Sequence, residues 1–169
     1  MNVIPDFYKL GEIKEHFEGF DFNAYPDSGG VWTIGYGSTY NQDAKRKVMQ
    51  GDTVTKEQAI RWMSKDVDNV IKQANQYITT QLSPSQSAAI VDYIYNRGIG
   101  NFLKTNLDEL INANPFDPLV IKEIVGTGLK DKAGNLLWGL GRRRRAEAYL
   151  YLTGQNKFNW GRWQAFPYP

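Results

Sequence analysis

A run of more than twenty residues beginning at Thr55 can form only one kind of secondary structure, and it organises everything around it. Thr55-Lys56-Glu57-Gln58 is a capping box, in which a threonine and a glutamine three residues later satisfy each other's backbone donors at a helix start. Ala59, Met63, Val67, Val70, Ile71, Ala74 and Ile78 then recur at helical spacing. A helix of this length spans about 30 Å and can join two lobes. The chain on either side has opposite character. Residues 23–50 are rich in Gly, Tyr and Thr, with turn signals at Pro26–Gly30 and around Asn41, and read as short antiparallel strands. Beyond the helix, Ser83-Pro84-Ser85-Gln86 repeats the capping signature with Pro at the first helical position. From Ala88 to Tyr95 only Asp92 is charged, which predicts a helix buried nearly all round.

The remaining elements follow from the same signals. A short helix is expected over 9–18, with Leu10, Ile13 and Phe17 on one face and Gly19 capping its end. Further helices are expected at 105–113, 117–125 and 140–152, and a loop or small hairpin over 126–138. The fold class is α+β in a single domain over 1–169. A small β-containing lobe occupies about 12–55 and the connecting helix about 56–78. A helical lobe takes about 79–169, with residues 1–11 packing on it.

Composition narrows the chemistry. The chain has no cysteine and a single histidine, His16, so disulfides are excluded and neither a His/Cys zinc site nor a Ser-His-Asp hydrolase is expected. Carboxylates, hydroxyls and arginines are left, with no metal and no cofactor. The net charge of +2 is too small to argue for nucleic acid. No apolar run approaches a bilayer span, and the N-terminal residues carry scattered charges with no apolar signal core.

Glu18 closes the first predicted helix, where free carbonyls and the negative end of the dipole oppose a carboxylate. Phe17, Phe20 and Phe22 can desolvate it. Both effects raise a carboxyl pKa, as a general acid near neutral pH requires. The plain alternative is a surface glutamate that happens to end a helix. Asp27 lies in a tight turn, where Asp often makes only a turn hydrogen bond. Strand alternation puts Val31, Thr33, Gly35 and Gly37 on one face and Trp32, Ile34 and Tyr36 on the other, apolar one. Bare glycines beside a threonine would let a bulky ligand lie against the backbone, unless they serve turn or bulge geometry.

Glu18-Gly19, Ala24-Tyr25, Asp27, Gly30 and Thr33-Ile34-Gly35-Tyr36-Gly37, in this order and spacing, resemble the active-site signature of the phage-type lysozymes, or endolysins, of glycoside hydrolase family 24. The likeness continues through GDTVTKEQA (51–59), LSPSQSAAIVDYIYNRGIGNF (82–102) and GLGRRRRAEAYLYLTG (139–154). It implies a two-lobed lysozyme-like fold with the active site in the cleft between lobes. Glu18 would be the general acid, Asp27 the carboxylate that activates or aligns water, and Thr33 the residue holding that water. The substrate would be peptidoglycan, cut with inversion between N-acetylmuramic acid and N-acetylglucosamine. Gly35, Thr39, Tyr95, Asn96, Asn106 and Arg143 would contact the sugar chain. For Tyr95 the alternative is core, and for Arg143 a salt bridge to Glu147 one turn on.

The resemblance also implies a monomer with no nucleic-acid partner and no stable membrane association. Such a protein would be made in a host cytoplasm without a signal peptide and reach the wall through a membrane lesion. The sequence departs from the family at Ser38, where histidine is frequent, and in a longer 126–138 loop. Arg142–Arg145 point roughly 100° apart around a helix and cannot form one flat patch. The aromatic tail 158–169 is expected to fold back on the core. A catalytically dead glycan-binding module and a lytic transglycosylase are the competing readings. The first makes the acid dispensable, and the second has no use for Asp27 and Thr33.

Overall fold

Thr55 starts the long helix as its sequence predicts. The Gln58 amide donates to Thr55 Oγ1 at 3.2 Å and the Thr55 amide to Gln58 Oε1 at 2.9 Å. In the computed structural model, which describes residues 1–27, 29–130, 134–161 and 166–167, this is helix α2 (Lys56–Tyr77). Before it come α1 (Phe7–Glu18), β1 (Asp21–Pro26), β2 (Trp32–Gly35), β3 (Tyr40–Asn41) and β4 (Arg46–Lys47). After it come α3 (Pro84–Arg97), α4 (Ile99–Phe102), α5 (Leu107–Ala113), α6 (Pro118–Gly126) and α7 (Trp138–Thr153). The chain divides into two compact units, Lys14–Asn69 and Met1–Ile13 with Val70–Pro169.

The unit Lys14–Asn69 is built on two antiparallel ribbons, β1–β2 and β3–β4. In the first, Tyr25 faces Thr33 and Pro26 faces Trp32, with an irregularity between Asp21 and Tyr25. In the second, Tyr40 faces Lys47 and Asn41 faces Arg46. The core of this unit is Ile34, Tyr36, Val48, Val54, Ala59 and Trp62, with Phe20, Ala24, Trp32 and Met63 packed against it. The face expected to be apolar is therefore the core face. The strand does not run on to Gly37, however. Ile34 and Ser38 exchange backbone hydrogen bonds, both at 2.9 Å, so the chain reverses over residues 35–37. Gly35 (φ 63°) and Gly37 (φ 85°) supply the left-handed conformations that this reversal needs.

In the other unit, α3 is buried from Gln86 to Ile94 and packs on α7, which also packs on α6. Ser83 and Gln86 complete the expected capping box. The N-terminal segment is tied in by Asn75, whose Oδ1 accepts from the amides of Asn2 (2.7 Å) and Val3 (3.1 Å). Trp160 and Phe166 of the tail are buried and stacked at 5.4 Å, as expected of rings folding onto the core. Trp163 and Tyr168 lie outside the described residues.

Several boundaries differ from the sequence reading, among them that of α5, which begins at Leu107 and not at 105. Helix α1 begins at Phe7 because the Asp6 carboxylate accepts from the amides of Tyr8 and Lys9, both at 3.1 Å, a cap about one turn upstream of the first periodic residue, Leu10. The single turn α4 was not expected. It forms because Gly98 (φ 77°) ends α3 and the chain then turns again to bury Phe102 completely. Helix α7 begins at Trp138, two residues early. Over 126–138, Lys130 and Leu136 form an isolated antiparallel bridge, and residues 131–133 lie outside the described residues.

Candidate active site

Glu18 is the last residue of α1, and Gly19 (φ 63°) breaks the helix immediately behind it, as its sequence position predicts. Its carboxylate reaches the 35–37 reversal. Glu18 Oε2 lies 2.9 Å from the point that a Cβ on Gly37 would occupy. Gly37 therefore serves the acid, by leaving room for it. Gly35 is buried, and its bare face is filled by the Ala59 Cβ of α2, 2.9 Å from the corresponding point, with Val54 beyond. The expectation of a ligand lying against both glycines is corrected accordingly: helix packing takes up one gap and Glu18 the other.

Asp27 organises the turn between β1 and β2. Its Oδ1 accepts from the amides of Gly29 and Val31, both at 2.8 Å, and its own amide donates to the Val31 carbonyl at 2.9 Å. The same carbonyl accepts from Thr33 Oγ1 at 3.1 Å. Both peptide groups of Val31 are thus spoken for, and they fix Asp27 and Thr33 relative to one another. Asp27 is exposed, whereas Thr33 is 5% exposed. No hydrogen bond from the described residues reaches Asp27 Oδ2, so the charged carboxylate keeps one open acceptor.

Tyr25 is a member of this group that sequence reasoning left without a role. It sits directly across from Thr33 and two residues before Asp27, which sets all three on one side of the ribbon. Burial first, and then the carboxylates of Glu18, Asp21 and Asp27, push its phenol above the ordinary tyrosine range. Its ring thus lies in the field of both catalytic candidates. The hairpin register was the signal that could have found it.

The candidates for sugar contact are dispersed. Thr39 is exposed beside the reversal and accepts from the Val48 amide at 3.0 Å. Tyr95, Asn96, Asn106 and Arg143 belong to the other unit. Arg143 is 4% exposed and forms a two-pronged ion pair with Asp92, at 3.0 and 2.8 Å, with Glu147 Oε1 at 3.5 Å. The expected Glu147 bridge exists, and Asp92 is the closer partner. Arg144 pairs with Glu147 at 2.9 Å, donates to Asn96 Oδ1 at 2.6 Å, and lies 4.5 Å from the centre of the Tyr93 ring. Burial pushes the Glu147 carboxyl well above its usual range and pulls the Arg144 guanidinium down. Tyr95 is half-buried at the end of α3. Asn106 precedes α5 without a side-chain capping bond and lines a cavity of about 400 Å³ with Lys122, Glu123 and Thr127.

Among the described residues no cluster of His, Asp or Glu is placed to hold a metal ion, and no helix is long and apolar enough to cross a membrane.

Residues 15–147 match the phage lysozyme family model, a span that includes Glu18, Asp27, Thr33 and Arg143. The chain is 31% identical over 149 residues to the SAR-endolysin of Enterobacteria phage P21, covering 84% of this chain and 81% of that protein. Among solved structures it resembles an endolysin from Escherichia coli O157:H7 phage FAHEc1, at 29% identity and a TM-score of 0.78, covering 88% of this chain and 93% of that one. It also resembles the muramidase domain of SpmX from Asticaccaulis excentricus, at 26% identity and a TM-score of 0.73, covering 86% of this chain and 95% of that one.

Proposed function

The chain belongs to the phage lysozyme family, and we propose that Glu18, Asp27 and Thr33 are the residues with which it cuts the wall. It is a glycoside hydrolase, a lysozyme of the endolysin type that hydrolyses peptidoglycan and so lyses bacteria. The bond cleaved is the β-1,4 link between N-acetylmuramic acid and N-acetylglucosamine. The observation that carries the residue assignment is the shared tether. Asp27 and Thr33 are both bonded to the backbone of one residue, Val31, in the same unit as the Glu18 carboxylate.

Glu18 protonates the departing glycosidic oxygen. A cationic, oxocarbenium-like centre develops at the anomeric carbon as the bond lengthens. Water must then arrive with a lone pair aimed at that carbon. Thr33 has committed its hydroxyl proton to Val31 and can only accept, and Asp27 Oδ2 is an acceptor as well. A water that donates one hydrogen to each has both protons held back and a lone pair facing outward. Asp27 takes up the proton as the new bond forms. Two acceptors converging on one water describe an inverting enzyme, in which the second carboxylate never bonds carbon. Tyr25 borders this arrangement from directly across the ribbon, and Thr39, exposed after the 35–37 reversal, is a proposed sugar contact. Gly35, packed on Ala59, offers the sugar at most its backbone.

The protein acts as a monomer, without nucleic acid and without stable membrane association. It is made in the host cytoplasm and reaches the wall through a membrane lesion. The decisive experiment compares wild type and Glu18→Gln for release of reducing ends from purified peptidoglycan. The variant is nearly isosteric and lacks the proton, so the rate should fall about a hundredfold or more. Near wild-type release would overturn the acid assignment.

A further inference from the structure

Between the first turn of α3, the start of α6 and the last turn of α7 lies a cavity of about 290 Å³, all within the unit that contains neither Glu18 nor Asp27. Its size is near the lower end of the range for small-molecule sites, about 300 Å³. At its edge stands Phe116, 80% exposed although it is one of the larger apolar side chains in the protein. The ring is displayed on a fixed turn. The Phe116 amide donates to Asn114 Oδ1 at 3.1 Å and the Asp117 amide to the Asn114 carbonyl at 3.0 Å. The Pro115 carbonyl between them accepts from the Tyr151 hydroxyl at 2.9 Å.

The lining mixes polar groups with apolar ones such as Ile121 and Leu152, and carries no cation. Gln86 is 5% exposed. Its carboxamide nitrogen makes one long bond, 3.4 Å to the Pro115 carbonyl, and its second N–H meets no acceptor among the described residues. Ser85 Oγ likewise has no hydrogen-bond partner among them. Asp117 Oδ1 caps α6 through the Leu119 amide at 2.8 Å, leaving Oδ2 for a ligand. Donors and acceptors are thus mixed around one flat apolar ring. A phosphate or an acidic peptide would meet Asp117 with no compensating charge. A neutral ring with hydroxyls and an amide, apolar on one face, satisfies every group.

We infer that this cavity is a second saccharide site, one that binds a single N-acetylhexosamine unit of the wall glycan stacked on Phe116. The inference rests on the proposed function for its choice of polymer. The site would hold the enzyme on insoluble wall between cleavages.

The test uses the full chain carrying Glu18→Gln, so that the wall is bound and not consumed. Adding Phe116→Ala should raise the half-saturation point on purified sacculi about three- to tenfold, and Phe116→Trp should restore it. In parallel, titration of the full chain with N-acetylglucosamine should shift the backbone amide signals of Ser85, Asp117 and Gly154. Undiminished binding by Phe116→Ala, or amides that do not move, overturns the inference. If wild type releases reducing ends while Phe116→Ala binds undiminished, only this second site is removed. A wild type that releases none removes the proposed function and this site together.

Discussion

The Glu18 carboxylate occupies the space that a side chain on Gly37 would need, with Oε2 2.9 Å from the position of the missing Cβ. An acid at the end of one element is thereby placed by the absence of a side chain in another. The φ of 85° at Gly37 adds a second requirement for glycine at the same position.

Gly37→Ala should therefore damage activity beyond its effect on folding. The left-handed conformation should cost roughly 1–2 kcal/mol, readable as a lowered urea midpoint. Displacement of the acid should lower kcat by about a hundredfold. A variant that loses stability but keeps kcat would show that the Glu18–Gly37 approach has no catalytic weight.

Asp27→Asn and Asp27→Ala should separate the two jobs of this side chain. Asparagine keeps an Oδ1 able to accept from Gly29 and Val31, so thermal melting should be close to wild type while wall clearing falls about a hundredfold. Alanine leaves both amides without that acceptor and should lower the melting temperature as well. Equal melting of the two variants would mean that the turn does not depend on the carboxylate.

The stereochemical prediction follows from the proposed roles of Asp27 and Thr33, both tied to Val31. In the proposed mechanism a water held between them attacks the face opposite the leaving group, so the new reducing end should appear first as the α-anomer from a β-linked substrate. The Glu18 and Asp27 carboxyls should then be more than about 6 Å apart. Proton NMR in the first minutes, before mutarotation, reads the outcome. An initial β-anomer would require a covalent intermediate and remove Thr33 from its water-holding role.

Asp52 predicts the acid limit of the Lys14–Asn69 unit. Its carboxylate accepts from Arg46 at 2.6 and 2.8 Å and from the Met49 amide at 3.1 Å, and these bonds, the Arg46 pair foremost, hold its pKa at about 2. A folded-state value below the unfolded one, about 4, means that the native state favours the charged form. The stabilisation is complete above pH about 4 and is lost as pH falls towards 2. Asp52→Asn should flatten that part of the curve of unfolding free energy against pH. An unchanged acid limb would mean that the bonds do not survive in solution.

Much of this protein is decided locally. The capping boxes at Thr55 and Ser83, the periodicity of α2 and the buried character of α3 are set by residues three or four apart, and the structure repeats them. The elements that carry Glu18, Asp27 and Thr33 were equally legible, because a helix end, a turn and a strand each declare themselves within a few residues, whereas the roles of the three came only from the family resemblance. Tertiary structure alone decided what the spacing could not. That Gly35 makes room for Ala59, twenty-four positions on, while Gly37 makes room for Glu18, depends on which elements pack together. Asp92 looked like a lone charge in an apolar helix until α7 brought Arg143 against it, fifty-one residues away. A buried charge needs a partner wherever the chain can supply one, and sequence spacing carries no record of that distance. Phe116, apolar yet 80% exposed, is the converse case: it stands on a turn held by Asn114 and Tyr151, contacts that only the fold brings together.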